Sequence, residues 1–292
     1  AFEIACIPAD LANRFVMQII AGPHGTPCLE LTHASGASAL VALHGGHLVS
    51  WKTPNGRERI YLSEKASYGD GTAIRGGVPV IFPQFSDRGP FARHGFARRM
   101  QWQPVAGGEP AKNLLEFRNS PETLSEWPHS FALTFGVELE EEAITLRLEV
   151  ENTGETPFLF DAAFHTYLRV REIETLAVSG LGGLSFHNEV TKVADTDGNA
   201  VIRFGSAVDR TYSGVGGYSV GLHDLRDNLS LSCRGFSDTV VWNPGPDHGI
   251  GDLPEDGWRE FVCIEAARIQ ASRPLLPSAS WTGNQRIEVA RP

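Results

Sequence analysis

The sequence predicts an all-β protein, a large antiparallel β-sandwich made by residues 1–292 as one domain. Three observations lead there. Short segments with alternating apolar and polar residues recur along the chain, separated by Gly, Pro, Asn and Asp, the pattern of half-buried strands joined by turns. Amphipathic stretches of helical period are nearly absent. No Gly/Ser linker, charge block, long repeat or low-complexity tract divides the chain, and 41% hydrophobic composition over 292 residues can fill one large core. So many short strands exceed a simple open sheet and favour two sheets packed face to face, with function on a concave face or its rim loops.

The elements follow in order. "ASALVALHGGHLVSW" (37–51) and "ERIYLS" (58–63) alternate as strands, as do "NLLEFRN" (113–119) and "FALTFGVEL" (131–139). In "SPETLSEWP" (120–128) Ser120 can cap and Pro121 suits the first helical position, so a helical turn is expected. "AITLRLEVEN" (143–152) places Ile144, Leu146, Leu148 and Val150 on one face and Thr145, Arg147, Glu149 and Glu151 on the other. "FLFDAAFHTYLRV" (158–170) reads as one strand, followed by "LAVSGL", "LSLSCR", "TVVWNP", "REFVCIEAARI" and "QRIEVA".

The chain has 25 basic and 35 acidic residues, a formal net charge of -10, which disfavours nucleic acid and anionic membranes as partners. Only four of the cations are lysines (Lys52, Lys65, Lys112, Lys192); the rest are guanidinium forks suited to carboxylate or phosphate. Cys6, Cys28, Cys233 and Cys263 lack CxxC or disulfide-dense spacing and read as reduced. The opening "AFEIACIPADLANRF" has no basic region followed by a long apolar run, so no export signal or membrane span is expected and a cytoplasmic setting fits.

Positive charge nevertheless gathers in one place. Residues 73–99, "AIRGGVPVIFPQFSDRGPFARHGFARR", carry Arg75, Arg88, Arg93, Arg98 and Arg99 against one acid, Asp87. Gly and Pro punctuation presents these guanidiniums on turns, which suits a small anionic ligand; an arginine-rich surface loop paired with the surplus acids fits the same residues.

Two further positions stand out. Within 158–170 the alternation puts Phe158, Phe160, Ala162, Phe164, Leu168 and Val170 on one face, and Asp161, His165, Tyr167 and Arg169 on the other. That polar face lines a cleft or is simply exposed. Glu265 is the only charge between Phe261 and Ala267. A carboxylate so placed is either paired structurally or held with a raised pKa for proton transfer. His165 and Glu265 can act as an acid and base pair if their strands are neighbours. His44 and His47 fall on opposite faces of a strand and offer no metal site. No dinucleotide fingerprint, phosphate loop or Gly-x-Ser-x-Gly elbow is present.

Five ordered segments, "GGHLVSWKTPNGRERIYLSEKASYGDGTAIRGGVPVIFPQFSDRGPFARHGFARRMQW", "FHTYLRV", "VDRTY", "VVWNPGP" and "GDLPEDGWREFVCIEAA", resemble the glucose-6-phosphate 1-epimerases, or hexose-6-phosphate mutarotases, of the wider aldose 1-epimerase group. The resemblance implies a galactose mutarotase-like supersandwich that interconverts sugar anomers without cofactor or metal, as a monomer or weak homo-oligomer. It makes His165 the acid and Glu265 the base, and puts Arg75, His94 and Asp209 around the sugar, with Gln84 a further contact. Asp209 reads as a loop residue able to accept sugar hydroxyls. The arginine segment would then hold a 6-phosphate, with Arg75 and Arg98 foremost. Trp51, Trp102 and Trp242 either stack on the sugar or belong to the core. Two other readings share the acid and base or the fold: an epimerase of unphosphorylated aldoses, and a non-catalytic sugar or sugar-phosphate binder.

Overall fold

The period-two alternation folds as strands wherever one face has an apolar partner to meet. In a computed structural model, which describes residues 15–105, 114–225, 227–269 and 273–290, Phe131–Leu139 and Ala143–Asn152 form a long hairpin in register from Phe131 opposite Asn152 to Leu139 opposite Ile144. Cys6, Lys112 and Asn113 lie outside the described residues.

Three sheets are present among the described residues. A small one runs Phe15–Ala21, Pro27–His33, Ser38–Ala42, His47–Lys52 in sequence order. A nine-stranded sheet has the order Val201–Ile202, Ala177–Ser179, Val220–His223, Leu229–Arg234, Ser280–Val289, Ala143–Asn152, Phe131–Leu139, Leu115–Arg118, Gln103–Pro104. An eight-stranded sheet runs Val193–Thr196, Ser185–Asn188, Val208–Tyr212, Asp238–Asn243, Phe261–Arg268, then Ala162–Phe164 and Val80–Ile81, with Tyr167–Arg169 also pairing Phe261–Arg268. The strand pairings are antiparallel.

The two large sheets stack through one apolar cluster that includes Phe135, Leu146, Leu148 and Ile287 from one and Phe164, Val241, Val262 and Ile264 from the other. The Phe164 ring meets Phe135 and Phe236 edge-on, with centroids 5.8 and 5.4 Å away. Trp51 and Trp102 are fully buried in this core. The outer face of the eight-stranded sheet carries two smaller apolar clusters, Ile81, Phe85, Ala163, Val240 and Ala267, and Tyr61, Tyr167, Leu253, Phe261 and Cys263. No described helix is long and apolar enough to cross a membrane.

The helical turn forms as Pro121–Glu126, with Ser120 and Thr123 making a reciprocal capping box. Other boundaries differ from the sequence reading. The stretch 37–51 is two strands, Ser38–Ala42 and His47–Lys52, because Gly45 (φ 79°) and Gly46 (φ 56°) reverse the chain between them. His44 thus sits in a turn. The stretch 158–170 is broken at His165 and Thr166, leaving Ala162–Phe164 and Tyr167–Arg169. Residues 58–63 form isolated bridges, not a regular strand. Asp209 lies in the strand Val208–Tyr212 and not in a loop: its neighbour Arg210 turns to the other side and pairs with Asp197, so two adjacent charges serve two faces.

Candidate active site

The register of the eight-stranded sheet sets the central pair. Phe164 lies opposite Ala266 and Tyr167 opposite Cys263, so His165 and Glu265 face each other across the same pair of strands. Their side chains meet with Nε2 and Oε1 3.3 Å apart, and the residues are 7% and 2% exposed. His165 Nδ1 and Glu265 Oε2 are buried without a hydrogen-bond partner, an arrangement that leaves each group one polar atom for a ligand. Burial holds the Glu265 carboxyl well above its ordinary range, helped by nearby Asp209. Burial likewise holds the His165 imidazole well below its ordinary range, helped by Arg98 and Arg75.

Tyr167, two residues on, stacks on His165 with ring centroids 4.8 Å apart and planes 11° from parallel. Arg75 donates from Nη1 to the Tyr167 hydroxyl at 3.0 Å and from Nε to Asp252 Oδ1 at 3.0 Å. The guanidinium is thereby held in a fixed attitude. His94 packs edge-on against His165 at 5.4 Å and sits at φ 64°. Its Nδ1 accepts from Ser86 N at 3.2 Å, which assigns the ring proton to Nε2. Burial, then the neighbouring His165, lowers the His94 pKa.

Arg98 belongs to the short 3-10 turn Ala97–Arg99. It donates from Nη2 to Arg93 O at 2.8 Å, while its Nε is buried with no partner. Desolvation pulls its pKa down to about 10. On the other side, burial and then Glu189 push the Asp209 carboxyl up to about 6. Glu189 also accepts from Arg88 at 2.8 Å and Lys192 at 3.1 Å.

These groups surround one cavity of about 610 Å³, lined by His165, Glu265, Arg75, His94, Arg98 and Asp209. Six of the seven residues proposed from sequence thus share one site. Gln84 does not line it: its amide donates to Ser86 O and Phe91 O and accepts from Phe91 N, bracing the loop from inside. Arg88 and Arg93 join the rim with Asp87, whose carboxylate pairs Arg93 at 2.6 Å, and Trp242 alone of the three tryptophans considered reaches the cavity. Arg99 lines a separate depression with Glu126. Sequence reasoning missed Asp252, Glu189, His187 and Ile250, whose only sequence signal is their place in turn-rich or weakly patterned stretches.

Donor atoms of His165, Cys263 and Glu265 lie within 4.8 Å of one another, a nitrogen, sulfur and oxygen set of the kind zinc accepts. Burial holds the Cys263 thiol well above its ordinary pKa, with Glu265 beside it acting in the same direction.

A model of the aldose 1-epimerase family matches residues 27–288. A protein of Cenchrus ciliaris, provisionally named a glucose-6-phosphate 1-epimerase, is 31% identical over 91% of this chain and 85% of its own. One of Escherichia coli K12 with the same provisional name is 34% identical over 87% of each. A crystal structure from Salmonella typhimurium, described provisionally as a mutarotase, superposes with a TM-score of 0.81 at 27% identity, covering 94% of this chain and 97% of the other. With the family match spanning both large sheets and relatives above 30% identity covering most of the chain, the chain belongs to the aldose 1-epimerase family of enzymes.

Proposed function

We propose that this enzyme interconverts the α and β anomers of a hexose 6-phosphate, glucose 6-phosphate foremost. The observation that carries the phosphate is Arg98, a cavity-lining guanidinium largely out of water, with no carboxylate partner among the described residues and with Nε unbonded. A cation in that state is stabilised by an incoming anion, and a phosphate supplies both charge and several acceptors. Arg75, already oriented by Asp252 and Tyr167, offers the rest of its fork to the same group. The names of the relatives agree with this reading.

His165 and Glu265 carry the chemistry. Glu265 as carboxylate takes the proton of the C1 hydroxyl, His165 as imidazolium gives one to the ring oxygen, and the bond between C1 and that oxygen breaks. Rotation about C1–C2 turns the aldehyde, and the reverse transfers close the ring on its other face. Asp209, His94 and Trp242 line the same cavity; in this reading the first two hold sugar hydroxyls and Trp242 covers a sugar face.

The protonation states balance without solvent. Burial favours neutral imidazole beside neutral carboxyl, and the reactive ion pair differs from it by one proton moved across the 3.3 Å contact. Arg98 and Arg75 are the charges that disfavour imidazolium, so a phosphate paired with them relieves that field. Substrate binding thereby favours the reactive form.

Exchange NMR on glucose 6-phosphate at anomeric equilibrium tests the assignment. Wild-type protein is expected to broaden or exchange the two anomeric signals, and His165→Ala and Glu265→Gln to leave them at the uncatalysed rate. Catalysis surviving in either variant would remove that residue from the mechanism.

A further inference from the structure

We infer that Gln285, on the opposite sheet from the acid–base pair, is a positioning residue that sets the separation of His165 and Glu265; the inference rests on the acid–base reading above. The alternation of Ser280–Val289 turns Gly283, Gln285 and Ile287 into the core between the sheets, where an apolar side chain is expected at each position. Gln285 is 2% exposed there, and a buried amide is costly unless both its ends are bonded.

Both ends are bonded, and to the two strands that bear the pair. Thr166 Oγ1 donates to Gln285 Oε1 at 2.5 Å, and Gln285 Nε2 donates to Ile264 O at 3.0 Å. Thr166 follows His165 and Ile264 precedes Glu265 in the chain. Ile264 N donates to Thr166 O at 3.2 Å, so the amide closes a ring of bonds on the residues next to the pair.

The local sheet needs such a clamp. Regular pairing is interrupted at His165 and Thr166, between Ala162–Phe164 and Tyr167–Arg169. A small cavity of about 10 Å³ is bordered by Gln285, Ile264 and Glu265. One side chain of the far sheet therefore fixes the spacing that proton transfer depends on.

The test compares Gln285→Leu, Gln285→Asn and Thr166→Val by thermal melting, by kcat and KM for anomer exchange, and by 15N NMR of the His165 ring. Gln285→Leu is expected to keep its melting temperature within a few degrees and KM within about twofold, while kcat falls roughly ten- to a hundredfold, the scale of a misplacement near 1 Å. Thr166→Val should lose less, and the double variant no more than Gln285→Leu alone. If Gln285→Leu does not fold, Gln285→Asn and Thr166→Val carry the same comparison. A melting loss with kcat per folded molecule unchanged, or an unmoved His165 ring resonance, would overturn the inference. A wild-type protein that turns over no hexose phosphate would instead overturn the functional reading, with the ring resonance still reporting on the clamp.

Discussion

Glu265 and His165 could be singled out from sequence because each breaks an apolar pattern: a lone charge from Phe261 to Ala267, and a histidine opposite a row of phenylalanines. Their partners could not. Asp252, which holds Arg75, lies 177 residues from it, and such pairs form only once strand order is fixed. Gln84 shows the converse, since a polar residue within an arginine-rich segment can be spent on its own loop. At this scale Arg98→Ala is expected to weaken glucose 6-phosphate binding by about ten- to a hundredfold in calorimetry, with no change for glucose, given roughly 1.5–3 kcal/mol per charge-assisted bond. Equal loss for both sugars would show that Arg98 does not hold the phosphate. Asp209 gives a pH prediction. Its folded pKa of about 6 lies above the ordinary value of 3.8, so its stabilising contribution is complete below pH 3.8 and is lost as pH rises through about 6. Asp209→Asn should therefore melt above wild type near pH 7.5, by up to about 3 kcal/mol, with the gain vanishing toward pH 4, and should lose activity. A gain that is independent of pH would contradict the assignment.

Among the elements, strands were legible and their ends were not. Ala143–Asn152 matches its sequence reading because one face is apolar throughout. The hairpin from Ser38 to Lys52 reads as one strand in the sequence because the alternation interrupted at His44 and the glycines resumes on the far side of the turn. That turn bears on the site. A Cβ on Gly45, at φ 79°, would lie 2.7 Å from Arg98 O, and buried His47 beyond it hydrogen-bonds Gly76 O at 2.8 Å, next to Arg75. Gly45→Ala is expected to cost about 1–3 kcal/mol in denaturant unfolding and to weaken phosphosugar affinity without touching the ligand. Unchanged affinity in the folded variant would separate the turn from the placement of Arg98.

For the whole molecule, the recurrent period-two alternation predicts the fold class, and the net charge restricts any anionic ligand to a small one held locally. A chain of net charge -10 repels polyanions at long range, yet it places Arg75, Arg88, Arg93 and Arg98 around one cavity. A small phosphate ester can reach a local cationic site that a polymer would avoid. Two apolar clusters on the same face of the eight-stranded sheet flank His165 and Glu265, whose side chains meet at 3.3 Å.

The most direct test is exchange NMR of glucose 6-phosphate and of glucose at equal concentration, each with and without the protein. Strong acceleration of the phosphate ester with little effect on glucose is the predicted result, because only the ester can pair with Arg98 and relieve the field on His165. Equal acceleration of both, or of glucose alone, would contradict the claim that phosphate recognition and acid–base catalysis are coupled in this site.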